Sequence, residues 1–133
     1  MRRLCLDTDY LVALLRDNPD AVRKALEIDT SGSEVVTTSM NAFEVYVGAF
    51  RSRERNRNTV QADNLLSSLK VLNLDMESLR KSGEVLSDLL DIGLRMDMRD
   101  AIIAGIALVY GCTLITRNTT HFKRVTGLSV EPW

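Results

Sequence analysis

Long apolar runs and an excess of charge are both missing from this 133-residue chain. No stretch approaches the ~20 apolar residues that a transmembrane helix needs, and the apolar run before Asp7 is too brief for a secretory signal. The formal net charge of −1 argues against a broadly basic nucleic-acid binder, although it is compatible with a local basic patch. We therefore expect a cytoplasmic protein of one domain, residues 1–133, that has no membrane partner.

Cysteine and histidine are also scarce, with two cysteines and one histidine in the chain. Cys5 and Cys112 each lie in an apolar, strand-like run, so we expect buried free thiols rather than a disulfide or a metal-binding pair. His121 stands next to Phe122, where a packing or capping role is the simplest expectation. Chemistry that relies on a histidine relay therefore has little support, and carboxylates are the better candidates.

Apolar strand-like segments alternate with helix-like segments along the whole chain. Predicted strands cover residues 3–6, 34–38, 71–74, 112–116 and 128–130. Predicted helices cover residues 10–17 (capped by Asp9), 19–28, 39–53 (capped by Ser39), 76–92 and 98–110, and one more follows a polar loop at 53–58 and ends near residue 70. This alternation predicts an α/β fold, a three-layer α/β/α sandwich with a mostly parallel central sheet.

The helix between Asp97 and Gly111 is nearly apolar all round, which predicts that it is buried. Asp97 suits its N-cap and Gly111 suits the left-handed residue that follows a helix C-terminus. Asp100 falls on the same face as Ala104 and should be buried with it. A buried carboxylate needs a hydrogen-bonding partner, a bound cation or a raised pKa, so Asp100 marks a candidate site.

Two other acids and one neutral oxygen ligand, Asn118, lie in segments that should otherwise be buried. Asp7 follows the first strand, Asn118 follows the fourth, and Glu44 lies between apolar neighbours within a helix. Ligands of open α/β sheets bind beyond the carboxyl ends of the strands. Several carboxylates that meet there cannot all stay ionised unless a cation is bound between them. Oxygen ligands favour Mg²⁺ or Mn²⁺. Acids with such an ion suit phosphodiester hydrolysis, because the metal lowers the pKa of a bound water and stabilises charge on phosphorus.

Each of these residues also has a simpler interpretation. Asp7 could only fix the turn after its strand, Glu44 could face solvent, Asp97 could be a plain N-cap, and Asn118 could serve turn chemistry alone. Their joint placement at the ends of successive elements is what favours a site.

With these residues, the chain resembles a known family, the PIN-domain ribonucleases, and within it the VapC-type toxins of bacterial and archaeal toxin–antitoxin modules. The matching segments, in order, are Leu6-Asp7-Thr8-Asp9-Tyr10-Leu11, Ser39-Met-Asn-Ala-Phe-Glu44-Val-Tyr-Val-Gly48, Asp100-Ala-Ile-Ile-Ala104 and Leu114-Ile-Thr116-Arg117-Asn118-Thr-Thr-His121-Phe122. By position, the resemblance implies that Asp7, Glu44 and Asp100 are metal-binding acids. It implies a fourth catalytic position at Asn118 and hydroxyl partners at Thr8 and Thr116.

The resemblance further implies a Mg²⁺- or Mn²⁺-dependent endoribonuclease, a cognate antitoxin that inhibits it, and a homodimer. Two positions depart from the family pattern. Gly105 stands where alanine is usual, a change that looks harmless. Asp97 is an additional acid one turn before Asp100, and it is expected either to supplement the metal site or to cap the helix.

Basic residues cluster in one segment, Arg51-Ser-Arg53-Glu-Arg55-Asn-Arg57. A solvated helix end with cations near its C-terminus explains much of this pattern. The alternative is a patch that contacts RNA phosphates, because cations must hold RNA against an acidic site. Arg51, Arg53 and Arg117 are the candidate RNA contacts.

Two other functions remain as alternatives. Asp7-Thr8-Asp9 fits the opening motif of haloacid-dehalogenase-type phosphatases, with Asp7 as covalent nucleophile, but Leu11 departs from that motif and Glu44 would have no role. A non-catalytic PIN-like module that binds RNA or protein is the other alternative. The intact acids favour the enzyme over both.

Overall fold

Five parallel strands form the central sheet of the structure, a computed structural model that describes residues 1–133. In chain order they are β1 (Arg3–Leu6), β2 (Glu34–Thr38), β3 (Lys70–Leu72), β4 (Thr113–Ile115) and β5 (Ser129–Glu131). The order across the sheet is β3-β2-β1-β4-β5, and every neighbouring pair is parallel. The predicted three-layer α/β/α sandwich is confirmed, and the sheet proves parallel throughout.

Seven helices connect and cover these strands. They are α1 (Thr8–Leu15), α2 (Pro19–Ser31), α3 (Ser39–Arg51), α4 (Arg55–Ser67), α5 (Met76–Asp91), α6 (Met98–Val109) and α7 (Thr119–Phe122). None of them combines the length and the hydropathy that crossing a bilayer requires.

The sheet is covered on both faces because its strands are apolar on both sides. Along β1, Leu4 and Leu6 pack into the core that α1 to α4 form on one face. Cys5 points the other way, into the core beneath α5 and α6. Both cysteines are buried free thiols, as predicted.

Helices α5 and α6 approach each other most closely at Gly105. A Cβ built on Gly105 would lie 2.0 Å from Ser82 Oγ and 2.9 Å from the Ser78 carbonyl oxygen. Glycine at position 105, the departure from the family pattern noted above, suits this site, because the neighbouring backbone leaves no room for a methyl group.

Several predicted boundaries need correction. The loop predicted at 53–58 is wrong, since α4 begins at Arg55. Local contacts support this polar helix start: Arg57 pairs with Glu54 at 3.1 Å, and the Arg55 guanidinium lies 4.9 Å from the centre of the Phe50 ring. Helix α7 was not predicted, because four residues are too few for a periodic pattern.

Two predicted caps are also wrong. Helix α1 begins at Thr8, which places Asp9 inside its first turn, and Asp7 occupies the N-cap position. Thr38, rather than Ser39, caps α3 by accepting the backbone N–H of Asn41. Parallel strands end at a common edge, so the residues that follow β1, β2 and β4 meet there.

Candidate metal centre

Asp7 lies at the centre of this edge, immediately after β1, and is only 7% exposed. Its Oδ1 accepts a hydrogen bond from Asn41 Nδ2 at 3.0 Å, and its Oδ2 accepts one from the Thr116 hydroxyl at 2.7 Å. No lysine or arginine pairs with it. Burial raises the pKa of Asp7, the hydrogen bond from Thr116 opposes this, and the charges of Asp9 and Asp100 add to the rise, so that the pKa reaches about 6. A buried acid without a basic partner is the strongest indication of a cation site here.

Glu44 reaches the site from the second turn of α3. Its Oε1 accepts a hydrogen bond from the Thr8 hydroxyl at 2.7 Å, and its Oε2 lies 3.7 Å from Arg99 Nη1. The side chain is 19% exposed, so the interpretation of Glu44 as a solvent-facing residue is wrong. Thr8 also accepts a hydrogen bond from Asn41 Nδ2 at 3.0 Å, which connects the environments of Asp7 and Glu44.

Asp100 lies in the first turn of α6 and is half-buried. Burial raises its pKa, while the nearby His121 opposes that effect. Asp100 Oδ2 lies 3.1 Å from His121 Nε2, and the charge of Asp100 in turn contributes to the raised pKa of Asp7. Asp7 and Asp100 therefore belong to one electrostatic site, although they come from different layers of the fold.

Asp97 caps α6, as the sequence suggested, by accepting the backbone N–H of Arg99 at 2.8 Å. It is exposed and also pairs with the Arg99 guanidinium at 3.1 Å. These contacts lower the pKa of Asp97, the opposite of the effect at Asp100. Its second predicted role, as a metal ligand, stays a prediction.

The loop after β4 brings Thr116 and Asn118 to the same edge. Thr116 is fully buried, and its Oγ1 accepts the backbone N–H of Asn118 at 3.0 Å. Asn118 is exposed at the start of α7 and its side chain makes no capping hydrogen bond. Its carboxamide oxygen is therefore free for another partner, and its catalytic role stays a prediction.

Sequence reasoning missed three residues that contact the acids directly, Asn41, Arg99 and His121. Asn41 is fully buried, donates to Asp7, and accepts the Thr38 hydroxyl at 2.7 Å. Its position three residues before Glu44 places it on the same helix face, which was the available signal. His121 packs against Phe122, as expected, and it also contacts Asp100, which was not predicted.

The three candidate RNA-binding arginines differ in their surroundings. Arg51 and Arg53 lie exposed at the end of α3 and beyond it, without an ion pair, so both stay predictions. Arg117 is already engaged: it pairs with Asp20 at 2.9 Å and stacks 3.8 Å from the centre of the Trp133 ring. The structure gives Arg117 a role in holding the C-terminal residues, and its RNA contact also stays a prediction.

The kinds of donor atoms at this edge fit a hard divalent ion, with carboxylates from Asp7, Glu44 and Asp100 and an amide oxygen from Asn118. As the side chains stand, no group of three or more His, Cys, Asp or Glu residues is arranged to hold a metal ion. In the present arrangement Glu44 accepts a hydrogen bond from Thr8 through Oε1, and Asp100 lies against His121 through Oδ2, so each contact involves one carboxylate oxygen. The buried carboxylate of Asp7 favours a bound cation.

Comparison with known proteins shows the family to which this chain belongs. The profile of the PIN domain family matches residues 4–128. The chain belongs to the PIN domain family. Ribonucleases with a PIN domain depend on metal ions in general, which agrees with the donor set found here.

Relatives of this PIN domain extend over its whole length. The tRNA(fMet)-specific endonuclease VapC of Salmonella typhimurium is 27% identical over 133 residues, 100% of this chain and 99% of the relative. Ribonuclease VapC2 of Rickettsia felis is 28% identical and covers 96% of each chain. The crystal structure of VapBC2 from Rickettsia felis, bound to a DNA fragment from their promoter, superposes with a TM-score of 0.89 at 27% identity and covers 98% of each chain.

Proposed function

We propose that this PIN domain is a divalent-metal-dependent endoribonuclease and the toxin of a toxin–antitoxin module, acting in the cytoplasm. The observation that carries the proposal is the buried Asp7 carboxylate, which shares one sheet edge with Glu44 and Asp100 and has no basic partner. Similarity to VapC endonucleases over the full chain supports RNA as the substrate. We assign Mg²⁺ or Mn²⁺ to the site, because both prefer oxygen ligands.

In this proposal Asp7, Glu44 and Asp100 hold the ion, with Asn118 as an additional oxygen ligand. The bound metal supplies a water of lowered pKa and stabilises negative charge on the scissile phosphate. The chain's own groups position the acids: Asn41 and Thr116 orient Asp7, and Thr8 orients Glu44. Asp97 keeps the first turn of α6 in place through its cap.

The substrate backbone needs positive charge outside the acidic edge. Arg51 and Arg53 are exposed and carry no salt bridge, so they are free to contact RNA phosphates. Arg99 lies nearer to the acids, 3.7 Å from Glu44, and adds a cation on the open side of the site. The homodimer implied by the VapC resemblance also stays a prediction.

The decisive experiment measures cleavage of a mixed RNA pool by the purified chain with Mn²⁺, with Mg²⁺ and with EDTA. Asp100→Asn is expected to lower the rate at least about 100-fold, because several kcal/mol of charge stabilisation depend on the metal site. Asp97→Asn is the matched control, since it removes the same charge one turn away and asparagine remains a good N-cap. It should keep activity within about tenfold of wild type, because it leaves the proposed metal ligands in place.

Three outcomes contradict the enzyme. Equal cleavage by wild type and Asp100→Asn indicates a contaminating nuclease. Equal loss in both aspartate variants, together with a lowered unfolding temperature in both, indicates a general effect on the fold. RNA binding without cleavage in any metal favours the non-catalytic module instead. The toxin assignment has its own test, because a protein encoded by a neighbouring gene should bind this chain and block cleavage.

A further inference from the structure

The single histidine of the chain is held between the candidate metal site and an arginine. His121 lies in α7, three residues after Asn118, and its Nε2 is 3.1 Å from Asp100 Oδ2. Its Nδ1 is 2.7 Å from Arg124 Nη2. The ring packs edge-on against Phe122 with 5.3 Å between ring centres. Contacts at both ring nitrogens fix the orientation of His121.

These contacts also determine which ring nitrogen carries the proton. A guanidinium nitrogen can only donate, so His121 Nδ1 must accept from Arg124. The remaining proton is then on Nε2, which donates to Asp100 Oδ2. Arg124 is itself anchored, since its Nε donates to the His121 carbonyl at 3.0 Å and its Nη2 to the Arg95 carbonyl at 2.9 Å.

We propose that His121 is a positioning residue for the metal site: its Nε2–H holds one oxygen of Asp100 and leaves the other oxygen for the ion. Arg124 supports this role by fixing the tautomer of His121. The inference rests on the proposed function, because it assumes that Asp100 is a metal ligand. It assigns a role at the site to α7, a helix that also places Phe122 in the hydrophobic core.

Metal affinity distinguishes this role from a purely structural one. Hydrogen-bonded partners of metal ligands contribute about 10- to 100-fold in metal affinity or activity. A residue that only ties α7 to α6 would change the unfolding temperature and leave the affinity of the folded protein for metal unchanged. The readout is therefore the affinity of the full chain for Mn²⁺ in the absence of RNA, measured by titration calorimetry or by the electron paramagnetic resonance signal of free Mn²⁺.

Four variants test the arrangement. His121→Leu removes the donor and is expected to weaken Mn²⁺ binding about 10- to 100-fold. His121→Gln keeps an N–H at a similar reach and should restore affinity to within about threefold of wild type. Arg124→Ala should weaken binding, by about 3- to 10-fold, because His121 keeps its donor but loses the group that fixes its tautomer. Lys123→Ala is the matched control: the adjacent residue is exposed, and its loss changes the net charge equally.

Asp100→Asn separates this inference from the function on which it rests. The proposed function and the positioning role are both supported if wild type binds Mn²⁺, Asp100→Asn does not, His121→Leu binds more weakly and Lys123→Ala binds normally. Wild-type binding lost in Asp100→Asn but unchanged in His121→Leu overturns the positioning role alone. Equal weakening in Lys123→Ala and Arg124→Ala also overturns it, because a general disturbance of this segment then explains the effect; loss of a positive charge by itself would strengthen Mn²⁺ binding. Absence of Mn²⁺ binding to wild type overturns the proposed function and the inference together.

Discussion

Replacing Asp7 with asparagine should stabilise the protein when no metal is bound. The Asp7 carboxylate is 7% exposed, lies near the charges of Asp9 and Asp100, and has no basic partner. Ionising it inside the fold therefore costs free energy that a neutral amide of similar shape avoids. A residue expected to be essential for activity is thus expected to lower the stability of the metal-free fold.

The magnitude follows from the pKa. The pKa of Asp7 rises from its ordinary 3.8 to about 6 in the folded chain. Each pKa unit corresponds to about 1.4 kcal/mol, so the charged carboxylate destabilises the fold by about 3 kcal/mol at neutral pH. Asparagine can accept only one of the two hydrogen bonds from Asn41 and Thr116 without rearrangement. The expected net gain for Asp7→Asn is therefore about 1–3 kcal/mol.

The sign of the pH dependence is specific. Below the unfolded pKa, Asp7 is protonated in both states and contributes no penalty. As the pH rises from about 4 to about 6, the folded state retains the proton longer, so wild-type stability falls. Above about pH 6 the penalty is complete. The advantage of Asp7→Asn should thus be absent near pH 4 and full at pH 7.5.

Urea unfolding in EDTA, at pH 4 and at pH 7.5, measures this difference. Asp97→Asn serves as the control, because contacts with Arg99 lower the pKa of Asp97, and its replacement should not stabilise the fold. Destabilisation by Asp7→Asn at pH 7.5, or an equal effect at both pH values, would show that the ionised Asp7 carboxylate does not destabilise the metal-free fold.

Three further predictions concern other residues. Gly105→Ala should lower the free energy of unfolding by about 1–3 kcal/mol or more, because the added methyl group meets the α5 backbone. Gly83→Ala should raise the free energy of unfolding by about 0.5–1 kcal/mol, because its methyl group meets nothing within 4 Å. Urea titrations compare the two variants. Asn41→Ala should cost about 1–3 kcal/mol in the same assay, since it leaves buried partners without their hydrogen bonds. Tyr110→Phe removes the hydrogen bond that lowers the pKa of Asp75, so its destabilisation should be present at neutral pH and fade in thermal melts as the pH falls below the usual aspartate range.

Much of the architecture could be predicted from the periodicity of apolar residues and from the residues that begin and end helices and strands. The bounds of β1 and β2 were predicted correctly, because both are apolar runs limited by polar turns. Asp97 and Gly111 were also identified correctly as the ends of α6, where Gly111 has φ of 66°. The order of the strands was not predicted, since it depends on contacts between segments far apart in the chain.

The site was predicted in part, for a related physical reason. Asp7, Glu44 and Asp100 stood out because acids are rare in otherwise apolar segments. Asn41 and His121 are ordinary polar residues in sequence, and only the folded chain brings them to Asp7 and Asp100. Metal-binding carboxylates can thus be found by their unusual neighbours, whereas the groups that orient them are found by their contacts.

The most direct test of the central claim is an anomalous-scattering map from crystals grown with Mn²⁺. We expect one strong peak at the carboxyl edge of the sheet, next to the carboxylates of Asp7, Glu44 and Asp100. The same peak should be absent from crystals of Asp100→Asn. A peak bound elsewhere on the chain, or none at a Mn²⁺ concentration that supports RNA cleavage, would contradict the assignment of this edge as the metal centre.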